Sequence, residues 1–85
     1  MFRNNELVKV TKHGVTVEGR IGSERTVFYP DSTVNKYGSG KMGRGVVGYK
    51  VHMPIIKADG TFHTDRAGQP AMGLGYVAET QIQKV

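Results

Sequence analysis

Residues 36–44 read Lys-Tyr-Gly-Ser-Gly-Lys-Met-Gly-Arg, a run that interleaves cations with glycines and carries one aromatic ring. The chemistry such a run can do is anion capture. Successive N–H groups in a glycine-rich loop form a concave nest for phosphate oxygens. Lys36, Lys41 and Arg44 would add charge, and Gly38, Gly40 and Gly43 would let the backbone approach closely. Tyr37 offers a face on which a base can stack. The surroundings favour the same chemistry. Between Asp31 and Asp59 stand Lys36, Lys41, Arg44, Lys50 and Lys57, and no carboxylate. Twelve Lys and Arg less these five leave seven, against seven Asp and Glu, so the whole net charge of +5 belongs to this window. A localised excess describes a patch, whereas an even one would describe solubility.

Sharper motif readings fail on context. Gly38-Ser39-Gly40-Lys41-Met42-Gly43 matches the bare dinucleotide string, but a strand pattern follows where that fold needs a helix. Met42 stands where a phosphate-binding P-loop needs Ser or Thr after its lysine. Catalysis has little to work with. The chain has no cysteine, its serines sit in no strained elbow, and of its carboxylates Glu18 is assigned to pairing with Lys9 and Asp31 and Asp59 to turns. No enzyme activity and no cofactor is expected. No metal site is expected either, because His52, His63 and Asp65 lack ligand spacing.

The elements that must position these groups are strands. Val8 and Val10, then Val15 and Val17, flank His13-Gly14, which predicts a two-residue hairpin pairing Val10 with Val17, Thr11 with Thr16 and Lys9 with Glu18. Ile21 ends the second strand; a two-residue loop after it would turn Phe28 inward but set Arg20 opposite Arg25, while a three-residue loop, the preferred reading, would turn Val27 and Tyr29 inward on the next strand. Pro30-Asp31 stops that strand, and residues 32–44 read as the longest loop. Val47, Tyr49, Val51, Met53 and Ile55 then alternate on one face, with Gly48, Lys50 and His52 on the other. Pro54 marks an edge or a bulge. Asp59-Gly60 predicts a second hairpin that pairs Lys57 with Phe62 and Ile56 with His63, placing His63 beside Lys50 and His52 outside. Residues 66–75, rich in glycine, read as a loop before a last strand at 76–78.

Eighty-five residues make one domain, 1–85, with a modest core. The expected class is all-β: a small, strongly bent antiparallel sheet or half-open barrel, SH3-like or OB-like, of five or six short strands. Without disulfides, self-association is the available reinforcement, and a homo-oligomer is one of two equal expectations. Nothing resembles an export signal or a span, so a cytoplasmic location and no membrane contact are expected.

The leading functional expectation is a non-catalytic module that holds a polyanion, RNA or DNA before a free nucleotide. Its residues would be Lys36, Tyr37, Gly38, Gly40, Lys41, Gly43, Arg44, Lys50 and His52. Two rivals stand beside it. One is a small accessory protein of phage or plasmid type that regulates or inhibits an acidic host protein. The other is an oligomeric receptor for a small phosphate-bearing metabolite or signalling nucleotide.

Overall fold

Strands β1 (Leu7–Lys12) and β2 (Val15–Ile21) form the first hairpin in the predicted register, with Val10 opposite Val17, Thr11 opposite Thr16 and Lys9 opposite Glu18. Its turn residues both have positive φ, 51° at His13 and 77° at Gly14, the backbone a two-residue turn needs to match strand twist. The threonine hydroxyls lie 2.9 Å apart. The computed structural model describes residues 1–30, 33–34, 40–41 and 43–85, and gives the backbone alone at 33, 34 and 41.

Strand β3 (Thr26–Phe28) does not return along β2. It pairs with β6 (Val46–Pro54), as β2 does further along. Ile21 faces Val51 and Thr26 faces Gly48, so residues 22–25 span only Tyr49 and Lys50. Thus β2 and β3 are one interrupted strand with a two-residue bulge. The Ser23 hydroxyl accepts the Lys50 N–H at 2.9 Å, and Gly22 N–H donates to the Lys50 carbonyl at 2.8 Å. The inward expectation for Val27 and Tyr29 is overturned: both remain about half exposed. Within the predicted long loop, β4 (Thr33–Val34) pairs with β5 (Gly40–Lys41).

The alternation of β6 holds from Tyr49 to Met53, all buried, and then fails. Beyond Pro54 the parity flips, leaving Ile55 40% exposed and burying Ile56. Pro54 ends a strand paired on both sides, and its pairing with Met72 continues the β6–β7 register unbroken, so it marks neither an edge strand nor a bulge. Its missing donor falls past the last β2–β6 pair, Arg20 with His52. The Asp59-Gly60 loop is one residue longer than predicted. Lys57 N–H donates to Thr61, Gly60 N–H donates to Lys57, and Ile56 bridges Phe62. The predicted pairs Lys57–Phe62 and Ile56–His63 are therefore absent. The same bond pattern recurs at 65–69, with Gly60 and Gly68 at φ 85° and 79°.

These two loops bring three chain passes to one point. Ile55 N–H donates to Ala71 at 2.9 Å, Ala71 N–H to His63 at 2.8 Å, and His63 N–H to Ile55 at 3.1 Å. From this closed ring the chain enters β7 (Met72–Ala78), which pairs with β6 along its length. A 3-10 turn, Glu79–Gln81, leads to β8 (Ile82–Lys84), which returns to β1. The predicted loop at 72–75 is thus strand. Its glycines 73 and 75 take the inward positions of an alternating segment rather than breaking it.

The order β8–β1–β2–β6–β7 is an antiparallel meander whose last strand rejoins the first. That is the SH3-like order and differs from the Greek key of an OB-like barrel. Among the described residues no ladder joins β7 to β8, so the sheet is a half-barrel. Its inner face buries Val8, Val10, Ile21, Tyr49, Val51, Met53, Val77 and Ile82, with Phe2 and Val17 against them. Each fully buried aliphatic side chain of this kind contributes about 1.5–3 kcal/mol. No described helix is long and apolar enough to cross a membrane.

A candidate anion-binding face

The inward alternation that buries Tyr49, Val51 and Met53 obliges their neighbours to face out. Lys50 and His52 are exposed on β6, as predicted. Pairing extends this face on both sides. Leu7, Arg20, His52 and Leu74 form one in-register row across β1, β2, β6 and β7. Lys50 lies opposite Tyr76, its Nζ 5.3 Å from the ring centroid. Tyr76 also stacks on Phe28, with centroids 5.1 Å apart and planes 17° from parallel. Gly48 makes that stack possible. A Cβ there would overlap the Val77 carbonyl and lie 2.9 Å from Phe28 Cε1.

The bulge at 22–25 builds a cleft beside this pair. Ser23, Glu24, Arg25, Thr26, Lys50 and Tyr76 line about 360 Å³. Two hydroxyls, a phenol, two cations and the Glu24 carboxylate belong to these lining residues. Arg25 is engaged by Glu79 at 3.2 Å, which is the ion pair among the described residues. Lys50 and His52 have no carboxylate partner among those residues. Arg20 Nη1 donates to the Asn5 carbonyl at 3.0 Å, which ties the guanidinium to the N-terminal arm.

The predicted site is only partly brought together here. Lys50 and His52 are on the face. Arg44 is exposed and Gly43 half-buried in the approach to β6, and Gly40 and Lys41 lie in β5. Lys36, Tyr37 and Gly38 lie outside the described residues. His63 does not join Lys50 and His52 through a β6 hairpin, because β7 takes that place and His63 stands on the 55–71 excursion. Tyr49 is fully buried, as its parity predicted. Arg20, Phe28, Tyr76 and Leu74 were missed as site residues. Met72, Leu74 and Tyr76 alternate with Gly73 and Gly75, a period-two signal hidden by reading paired glycines as a loop.

On this face an anion would meet charge at Lys50 and Arg20 and a ring N–H at His52, and a planar group would meet Tyr76 or Phe28. The chain matches no family model, and no curated protein or solved structure is similar to it.

Proposed function

We propose that this protein is a non-catalytic binding module for a polyanion, RNA or DNA, received on the outer face of β2, β6 and β7. The observation that carries the reading is the row in which Arg20 adjoins His52, with Lys50 beside it and no ion pair formed by any of the three among the described residues. Arg20 and Lys50 are cations that share one face without a carboxylate bound to either among those residues, and such a face attracts anions. A phosphate backbone would neutralise them, and the Tyr76–Phe28 pair would take a base by stacking. Arg44, exposed in the approach to β6, would add a further cation. A fold of this class carries many functions, so the site and not the barrel supports the reading.

The test is fluorescence anisotropy with a short single-stranded oligonucleotide across a salt series. About four phosphate contacts give a log–log slope near ~−3. The double variant Arg20→Gln, Lys50→Gln is expected to flatten that slope by about 1.4, and Tyr76→Leu to weaken binding roughly tenfold without changing it. Affinity that is indifferent to salt would falsify the reading. The cleft at Ser23, Thr26 and Lys50 favours a second reading, a receptor for a small phosphate-bearing metabolite. A mononucleotide that binds as tightly as the oligonucleotide would decide for it.

A further inference from the structure

The main-chain groups of β7 divide by parity. Lys50 turns its N–H and carbonyl toward Ser23 and Gly22, so the odd residues Tyr49, Val51 and Met53 turn theirs toward β7. They meet Val77, Gly75 and Gly73 there. The Ile55 N–H to Ala71 bond follows the same rule. Met72, Leu74 and Tyr76 are left with their N–H and carbonyl groups pointing away from β6, and no described residue bonds to them.

An unpaired edge is a template for another strand, and proteins blunt such edges with charge, proline or brevity. The other free edges here are blunted. β3 has three residues and is soon followed by Pro30, and β8 has three residues including Lys84. By contrast β7 has seven residues, none charged and none proline. Its outward side chains are apolar as well: Met72 is 51% and Leu74 62% exposed.

We infer that β7 pairs with β7 of a second copy of this chain, antiparallel, about a two-fold axis through Gly75. The sequence of the strand is self-complementary in that register. Leu74 exchanges both main-chain bonds with the partner's Tyr76, and Tyr76 with the partner's Leu74, which uses the groups left free. On the outer face Met72 meets the partner's Ala78. On the inner face Gly73 meets the partner's Val77, so at both of these steps a larger side chain stands against a smaller one. Gly75 stands opposite its own copy at the closest point, where non-hydrogen-bonded Cα atoms approach to about 4.5 Å. No charge opposes its like. The two Lys50 side chains stay three strand spacings apart, about 14 Å, beyond the ~8 Å screening length of physiological salt. The inference does not depend on the polyanion reading, which concerns side chains on the outer face.

The test uses the intact chain without nucleic acid. Sedimentation equilibrium is expected to give twice the chain mass. Leu74→Pro removes only the outward donor and leaves the β6 ladder intact; it is expected to give the single-chain mass with an unchanged far-ultraviolet spectrum. Leu74→Lys is expected to do the same. Hydrogen exchange of the native chain supplies a readout free of mutation. The Leu74 and Tyr76 amides should be protected at high protein concentration and exposed on dilution, while Gly73, Gly75 and Val77 stay protected throughout. A chain that sediments as a monomer at millimolar concentration overturns the inference. So does a dimer in which the Leu74 and Tyr76 amides exchange freely, or one that persists in folded Leu74→Pro.

Discussion

Thr61 aims two donors at one carboxylate oxygen. Its hydroxyl lies 2.6 Å and its amide 3.0 Å from Asp59 Oδ1. The hydroxyl bond first, then the amide bond, hold the Asp59 carboxyl below its ordinary 3.8. A carboxyl depressed in the folded state contributes stability that is present above its unfolded value. That contribution is lost as pH falls through the folded one. Thr61→Val should therefore raise the Asp59 midpoint toward 3.8 in a carboxylate NMR titration, while the amide bond keeps part of the shift. A midpoint that does not move would mean the hydroxyl is not the dominant donor. At this scale the sequence was readable where parity alone decides, as for Tyr49 inward and Lys50 and His52 outward. It was not readable where a side chain substitutes for backbone, as when Ser23 takes the Lys50 N–H.

Elements cross most tightly at Gly48, where β6 is flanked by Thr26 of β3 and Ala78 of β7 together. Both neighbours come close because no Cβ intervenes. Gly48→Ala would set a methyl against the Val77 carbonyl, which is backbone and cannot swing aside. Overpacking of this kind costs about 1–3 kcal/mol. Urea denaturation should show a lower midpoint, and the Phe28–Tyr76 stack should open with a change in tyrosine emission. A midpoint equal to that of the native chain would mean the three strands separate without strain. The β1–β2 hairpin was legible because His13-Gly14 fixes both loop length and register. Asp59-Gly60 was not, since the same dipeptide serves a two-residue turn or ends a three-residue loop. Strand β7 was hidden because Gly73 and Gly75 fill inward positions that usually announce a strand with apolar side chains.

Across the whole molecule, the N-terminal arm is tied to the core through Tyr49. The Phe2 N–H donates to the buried phenol oxygen at 3.3 Å, and the two rings meet edge to face at 5.5 Å. Asn5, at φ 66°, and Glu6 together oppose Ile21 in a bulge that carries the arm back over the sheet. Tyr49→Phe keeps the ring and loses the acceptor, so it should cost about 0.5–1.5 kcal/mol. Tyr49→Ala removes the ring as well and should cost about 3–5 kcal/mol. Thermal unfolding would separate the two, and in Tyr49→Phe the Phe2 amide should lose its protection first. The fold class was legible from alternation and turn residues, because a chain of short strands this size has few ways to close. The order of strands was not, since β2 gives way to β3 through a bulge that no local pattern announces.

The ring of backbone hydrogen bonds at Ile55, His63 and Ala71 is made wholly by the stems of the two loops it joins. The tips, residues 58–60 and 66–68, contribute nothing to that closure and are largely solvent-facing. A Cβ at Gly68 would meet nothing within 4 Å, whereas one at Gly60 would lie 3.3 Å from the His13 carbonyl. A short foreign peptide spliced at 66–68 is therefore expected to leave the thermal midpoint nearer that of the native chain than one spliced at 58–60.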